Sequence, residues 1–172
     1  MNYPLYLVTG APGSGKSTAL KAFLALHSQY VAFDIDWLAD AASNLANKDI
    51  YSDSSTWKPY GLLWFEVLHA IYKNSQTPVF FTPNDPHDLE QYGQPAWCSD
   101  LRWLLLDCDD QTRRERLVHR SDWTEVMIAG AIADARVLRQ LIPLQVDTGR
   151  LSSQQIAVKI LEWLEQRPRP TS

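Results

Sequence analysis

The sequence has little cysteine and no long apolar run. Its 172 residues include 2 cysteines, Cys98 and Cys108, too few for a disulfide framework and typical of free thiols in a reducing compartment. No apolar segment approaches the roughly 20 residues that a membrane-spanning helix needs. A strand is predicted to begin almost at Met1, so we expect no signal peptide. These features predict a cytoplasmic protein without a membrane partner.

The sequence also lacks an excess of positive charge. Its net charge is −4, with 16 lysines and arginines against 20 aspartates and glutamates. Binding to nucleic acid depends on many basic side chains, so we do not expect a nucleic-acid partner. The 4 histidines show no metal-ligand spacing. A composition of 45% hydrophobic and 21% charged residues is typical of a globular chain, and its length predicts one domain over residues 1–172.

A glycine-rich segment near the start carries the most specific signal. It matches G-x-x-x-x-G-K-[ST], the phosphate-binding P-loop. Residues 3–9 are predicted to form a buried strand and residues 16–26 a helix, which is the context that the motif requires. The alternative is a turn that only caps a helix. The predicted nucleotide-binding residues are Gly10, Ala11, Pro12, Gly13, Ser14, Gly15, Lys16, Ser17 and Thr18.

Predicted strands and helices alternate along the chain. Further strands are predicted at 30–33, 78–82, 101–106 and 142–146, and residues 83–99 are predicted to form a long irregular loop. This alternation predicts an α/β fold with a parallel sheet and helices on both faces. Ligands of such sheets bind beyond the carboxyl ends of the strands. Three helix caps are also predicted: Asp109 or Asp110, Asp122 with Glu125, and Ser152 with Gln155.

Four features together resemble the small P-loop kinases with the nucleoside monophosphate kinase-like fold, such as shikimate, gluconate and chloramphenicol kinases. They are residues 10–17, Asp34-Ile35-Asp36, an arginine-bearing helix after the fourth strand, and Asp147-Thr148-Gly149. The resemblance implies a three-layer αβα P-loop NTPase fold with a five-stranded parallel sheet in the order 2-3-1-4-5. It also implies an acceptor-binding region at about 36–75 and a short lid at about 113–125. We expect ATP and Mg²⁺ as cofactors, a small-molecule substrate, and a monomer or homodimer.

The chemistry of phosphoryl transfer assigns roles to the charged residues. Lys16 and Mg²⁺ would neutralise phosphate charge, and Ser17 would ligate the metal. The resemblance implies that Asp36 orients and deprotonates the substrate hydroxyl, although Asp36 could instead cap a helix. Strand alternation would put Asp34 on the same face, where it could hold Mg²⁺ through water and meet the substrate, or it could be a turn residue. No aspartate directly follows the third strand, so Asp107 is an alternative acid or a turn residue.

Arginines recur on the helix that follows the fourth strand. Arg113, Arg116 and Arg120 lie three and four residues apart, with Leu117 and Val118 predicted to face the core. Such a stripe suits polyphosphate charge in the transition state. We favour Arg116 and Arg120 as catalytic residues of the lid because they lie nearest its break. The alternative is a solvated face whose arginines pair with nearby acids.

The remaining candidates would bind the acceptor and the adenine. Trp37, Trp57 and Tyr60 could stack on a planar or apolar substrate, or they could pack into the core. Arg150 could flank the adenine ring, or it could belong to a plain turn before the last helix.

The leading interpretation is an ATP- and Mg²⁺-dependent phosphotransferase that moves the γ-phosphate to a hydroxyl of a small molecule. Nucleosides, sugars and similar metabolites or antibiotics are candidate acceptors. The alternative is a catalytically silent ATP-binding sensor or regulatory module. A kinase of nucleic-acid 5′ ends is disfavoured by the acidic charge, and a GTPase by the lack of N-K-x-D and D-x-x-G motifs.

Overall fold

The computed structural model describes residues 3–166 and contains one five-stranded parallel sheet. Its strand order is β2-β3-β1-β4-β5, which confirms the predicted α/β fold and the order 2-3-1-4-5. The strands are β1 (Tyr3–Thr9), β2 (Tyr30–Asp34), β3 (Thr77–Phe81), β4 (Cys98–Asp107) and β5 (Gln145–Asp147).

Helices connect every pair of successive strands. Short 3-10 turns at Ile35–Leu38 and Ser54–Thr56 precede the second and third helices. Among residues 3–166, no helix has the length and apolarity that crossing a membrane would require. The helices are α1 (Lys16–Leu24), α2 (Ala39–Ala46), α3 (Trp57–Lys73), α4 (Pro86–Tyr92), α5 (Asp110–Val118), α6 (Glu125–Leu141) and α7 (Ser153–Glu165).

The central strand β1 supplies both faces of the core. Tyr6 and Val8 face a cluster built with α1 and α7, while Leu5 and Leu7 face a cluster built with α3. Successive side chains of a strand point to opposite faces, so a strand covered on both sides is apolar throughout. This double burial explains why residues 3–9 form a continuous apolar run. It also holds the carboxyl end of β1, and with it the glycine-rich loop, in the middle of the sheet edge.

The structure confirms two predicted helix caps and corrects the third. The Asp109 side chain accepts a hydrogen bond from the Thr112 N–H at the start of α5, and Ser152 with Gln155 forms a capping box on α7. At α6 the cap is Thr124, whose Oγ1 accepts from the Met127 N–H. The predicted cap at Asp122 is wrong because it lies too far upstream to reach the first turn.

The prediction of an irregular loop at 83–99 is wrong. The segment contains α4, and β4 already begins at Cys98. Asp85 accepts from the Asp88 N–H and Asp88 accepts from the Asp85 N–H, which satisfies two backbone donors at the helix start. Pro86 occupies the first helical position, where its fixed φ is favourable and its missing N–H costs nothing.

Candidate functional site

The glycine-rich loop adopts a backbone shape that only glycine tolerates well. Gly13 and Gly15 have φ angles of 81° and 88°, in the left-handed region. A Cβ on Gly10 would lie 2.4 Å from the Leu106 carbonyl oxygen. Gly15 precedes α1 without a capping side chain, so the first turn of that helix keeps its N–H groups for a ligand.

The carbonyl groups of this loop are held from behind. Arg113 donates to the carbonyl oxygens of Ala11 and Pro12, and Arg116 Nη1 donates to that of Gly13 at 3.1 Å. Thr148 Oγ1 donates to the Ser14 carbonyl oxygen at 2.7 Å. Four successive carbonyls therefore face α5 and the end of β5. The opposite side of the loop is left to N–H groups, the arrangement that binds phosphate.

Asp107 supports this arrangement as the centre of an ion-pair cluster. It pairs with Arg113, which is 0% exposed, and it accepts from Arg139 Nε at 2.5 Å. Arg139 also donates to the Cys108 carbonyl oxygen at 2.7 Å. The alternative of Asp107 as a turn residue or a magnesium-side acid is therefore replaced by a structural role. These contacts tie the loop to both α5 and α6.

The predicted arginine stripe divides into residues with different surroundings. Arg116 Nη2 donates to the Thr148 carbonyl oxygen at 2.7 Å, so its guanidinium lies against the loop. Arg120 is exposed, with its guanidinium 5.8 Å from the centre of the Trp123 ring. The catalytic roles of Arg116 and Arg120 stay predictions. Leu117 is buried as predicted, but Val118 is 53% exposed, because it ends α5 on the side away from the core.

Lys16 is the cation of the loop. Its Nζ donates to the Gly10 carbonyl oxygen. Burial lowers the pKa of the ammonium to about 8, although Asp34 and Asp36 act in the opposite direction. The two aspartates are thus near enough to interact electrostatically with Lys16. A buried ammonium without a full counter-charge is suited to bind an anionic group.

Asp34 and Asp36 lie at the carboxyl end of β2, but strand alternation does not relate them. The strand ends at Asp34 and the 3-10 turn begins at Ile35. Asp34 Oδ1 accepts from the Asp36 N–H at 3.1 Å, so Asp34 is the cap and the alternative that Asp36 caps the helix is wrong. Burial, and then the charge of Asp34, raise the pKa of the Asp36 carboxyl.

The loop fits a polyphosphate. Ser14 Oγ is buried without a hydrogen-bond partner in the described residues, and no side chain caps the start of α1, whose N–H groups are left for a ligand. The fit to Mg²⁺ is different, because residues 3–166 contain no group of three or more His, Cys, Asp or Glu that could hold a metal. Mg²⁺ commonly takes few protein ligands and completes its shell with phosphate and water. Ser17 and Asp34 remain the predicted ligands.

A cavity of about 320 Å³ opens beside Asp36. It lies between the end of β2, the start of α3 and the helix α4. Trp57 and Tyr60 are in its wall, as predicted for substrate-binding residues, whereas Trp37 is not. Trp37 is 54% exposed and meets the edge of the Phe33 ring, which also argues against core packing. The lining residues are Ile35, Asp36, Ile50, Tyr51, Trp57, Tyr60, Pro83, Asn84, Asp88 and Tyr92.

The aromatic wall of this cavity is fixed by hydrogen bonds to the backbone. The Tyr60 hydroxyl and Trp64 Nε1 both donate to the Ile35 carbonyl oxygen, the latter at 3.0 Å. Trp57 Nε1 donates to the Ile50 carbonyl oxygen at 3.0 Å. Because its polar atom is occupied, Trp57, which is 49% exposed, can offer its ring to a ligand, whereas Tyr60 is 6% exposed and packs in the core behind the cavity wall. The bond to Ile35 also holds the residue next to Asp36.

The opposite wall comes from residues that the sequence reasoning missed. Asn84 Nδ2 donates to Asp88 Oδ2 at 3.3 Å and to the Tyr92 hydroxyl at 3.4 Å, and the Asn84 carbonyl oxygen accepts from Thr9 Oγ1 at 2.8 Å. An aspartate followed by proline, with a second aspartate three residues on, is a helix-start signal. Read at residues 85–88, that signal would have placed these side chains on a short helix.

Arg150 is the remaining predicted residue. Its guanidinium forms an ion pair with Asp147 at 3.4 Å and its side chain is 88% exposed. Its role beside adenine stays a prediction.

Comparisons with known proteins identify the fold. A tunicamycin resistance protein from Deinococcus radiodurans is 17% identical, with a TM-score of 0.66 over 99% of this chain and 100% of that one. A sugar kinase from Janibacter is 17% identical, with a TM-score of 0.62 over 95% of both chains. A shikimate kinase from Aquifex aeolicus is 16% identical, with a TM-score of 0.56 over 94% of this chain and 96% of that one. The chain has the fold of the P-loop kinases. No protein-family model and no curated protein matches its sequence.

Proposed function

We propose that this protein is a kinase that uses ATP and Mg²⁺ to phosphorylate a hydroxyl group of a small molecule. One observation carries the proposal: the carboxylate of Asp36 borders the cavity and also interacts electrostatically with Lys16 of the loop. In this proposal the site of the phosphate donor and the site of the hydroxyl acceptor therefore adjoin at the carboxylate of Asp36. The shikimate and sugar kinases that share this fold act on small molecules, as their names state, which supports the proposal at a general level.

Different residues would bind the phosphates, bind the metal and take the proton of the acceptor. The N–H groups at the start of α1 and the ammonium of Lys16 would hold the phosphates, and Ser17 and Asp34 would hold the metal. ATP with Mg²⁺, when bound, supplies the phosphoryl group. Asp36 hydrogen-bonds to the acceptor hydroxyl and takes its proton as the oxygen is phosphorylated. The raised pKa makes Asp36 a stronger base than an ordinary aspartate.

A catalytically silent ATP sensor is the rival proposal, and a cytoplasmic location is part of either one. Both cysteines are buried free thiols, which accords with a reducing compartment. The presence of an aromatic cavity beside Asp36 favours the kinase, because a sensor needs no acceptor site.

The test compares Asp36→Asn with a matched aspartate elsewhere. ADP release would be measured with ATP, Mg²⁺ and a panel of nucleosides, sugars, amino sugars and hydroxylated antibiotics. We expect Asp36→Asn to lower kcat about 10²–10⁴-fold, since general-base catalysis contributes that much, while ATP affinity is retained. Asp134→Asn, on the exposed side of α6, should leave kcat unchanged. Full transfer by Asp36→Asn would remove this residue from the mechanism.

A further inference from the structure

The charge of the acceptor cavity restricts the chemical classes to which the acceptor can belong. We infer that the acceptor is a hydroxyl compound that is neutral or carries an amine, and that carboxylate and phosphate acceptors are rejected. The inference rests on the proposed kinase function and goes beyond it, because transfer to a hydroxyl says nothing about the rest of the molecule.

The lining of the cavity is acidic. Among residues 3–166, the charged residues of the lining are Asp36 and Asp88, and no lysine, arginine or histidine lines the cavity. Proteins bind carboxylates and phosphates through paired donors of arginine or the ammonium of lysine. An anionic acceptor here would lose water and meet the two carboxylates of the lining, each of which repels it at short range. Lys16, which interacts with Asp36, would be committed to the phosphates of ATP in the proposed function.

The lysines near these walls in the sequence already have partners. Lys58 Nζ donates to the Gln91 carbonyl oxygen at 3.1 Å, and Lys48 pairs with Asp53 at 3.5 Å. Lys16 is held at the Gly10 carbonyl oxygen within the phosphate loop. None of these lysines lines the cavity. The contacts therefore fix the acidic character of the site.

Hydrogen bonds hold one carboxylate oxygen of Asp88. Its Oδ2 accepts from the Asp85 N–H at 3.0 Å and from Asn84 Nδ2 at 3.3 Å, which holds the carboxylate in place. Its Oδ1 accepts no hydrogen bond from residues 3–166. Asp88 lines the cavity, so this oxygen is a preset acceptor for an ammonium, amine or hydroxyl donor of the substrate.

The apolar part of the wall completes the description. Trp57 offers its ring, and Ile35, Ile50 and Pro83 add aliphatic surface. Such a wall binds the flat or apolar face of a ring, and the face of an indole also attracts a cation. The volume of about 320 Å³ suits a compact acceptor at the lower end of the range for small-molecule sites.

The experiment uses acceptors that differ in charge. D-glucosamine, D-glucose and D-gluconate form one set, and uridine with uridine 5′-monophosphate forms another. ADP release with ATP and Mg²⁺ gives kcat/KM, and calorimetric titration of the same compounds gives affinity without turnover. We expect the anionic member of each set to be at least tenfold poorer in both measurements.

Substitutions at Asp88 test whether its carboxylate sets the charge preference of the cavity. Asp88→Asn keeps an oxygen that can accept from the Asp85 N–H, so the helix start should survive. It should raise KM for the amine at least tenfold more than KM for the neutral sugar, with kcat little changed. Asp88→Lys should improve the binding of gluconate. Glu90→Gln, an exposed acid on the same helix, is the control and should leave the preference intact.

Different results would overturn the charge inference and the kinase function. If gluconate or the nucleotide is used as well as its uncharged counterpart, the charge inference is overturned and the kinase function stands. If no compound is phosphorylated while ATP binds, the kinase function is overturned. Tighter binding of the amine that is lost in Asp88→Asn would still support the charge inference in that case, and binding without charge preference would overturn it.

Discussion

Replacing Arg113 with methionine tests whether the back of the phosphate loop is held as described. Methionine has similar length and apolar bulk, so the change removes the guanidinium with little change in packing. Three contacts disappear: the pair with Asp107 and the hydrogen bonds to the carbonyl oxygens of Ala11 and Pro12. The side chain is 0% exposed, so water cannot readily replace it.

The size of the effect follows from burial. Removing one partner of a buried ion pair costs about 3–5 kcal/mol, and each buried carbonyl left without a donor costs roughly 1–3 kcal/mol. Asp107 keeps its contacts with Arg139, so the loss at the carboxylate is partial. We therefore expect the free energy of unfolding to fall by about 3–5 kcal/mol, which for a chain of this size lowers Tm by roughly 6–20 °C.

The assay combines thermal unfolding with ATP titration. Arg114→Met is the control, because Arg114 is next in sequence, half exposed, and paired with Glu125 at 2.6 Å. An exposed pair contributes about 0–1 kcal/mol, so the control should lose little stability and no ATP affinity. At a temperature where Arg113→Met is folded, its ATP affinity should fall at least tenfold. Equal stability and equal ATP affinity in the two variants would refute the role of Arg113 in holding the loop.

Two further predictions concern the loop itself. Because burial lowers the pKa of Lys16 to about 8 and bound phosphates would raise it, ATP binding at pH 9 should take up close to one proton and at pH 7 almost none. Affinity should then decline as pH rises above 8. Calorimetry in buffers of different ionisation enthalpy measures the uptake, and a pH-independent value would contradict the burial of Lys16. Gly10→Ala should lower ATP affinity at least tenfold and stability by about 1–3 kcal/mol, since its Cβ would lie 2.4 Å from the Leu106 carbonyl oxygen. Gly130→Ala on α6, where a Cβ meets nothing within 4 Å, should instead stabilise the protein by up to about 1 kcal/mol. Matching effects in both glycine variants, measured by unfolding and ATP titration, would show that the close packing at Gly10 is unimportant.

The parts of the fold that were predictable depend on residues that lie close together in the sequence. The motif at residues 10–17 is contiguous, and the apolar run of β1 reports its burial on both faces. Alternating strands and helices limit the possible topologies to a few, and the resemblance supplied the strand order. The capping box of α7 was readable because its two residues lie within one turn.

The unpredicted parts depend on contacts between distant segments. Arg113 bonds to a carbonyl oxygen 102 positions earlier, and nothing in its neighbourhood distinguishes it from the exposed Arg114. Helical spacing placed Arg113 and Arg116 on one face but could not say that the phosphate loop covers that face. The wall formed by α4 was hidden because proline and aspartate are common in both loops and helix starts.

The contacts that hold the back of the loop also restrict which arginine could act from the predicted lid. Arg113 and Arg116 are engaged by loop carbonyls and Thr148, so moving either one onto a phosphate would release the backbone that they support. Within residues 3–166, the Arg120 guanidinium contacts the Trp123 ring and forms no hydrogen bond or ion pair, and its charge helps to lower the pKa of Lys16. It can therefore approach the transferring phosphate without disturbing the loop. On this reasoning Arg120→Ala should lower kcat and leave stability unchanged, whereas Arg116→Ala should lower stability as well. The opposite pattern in unfolding and turnover measurements would assign the lid role to Arg116.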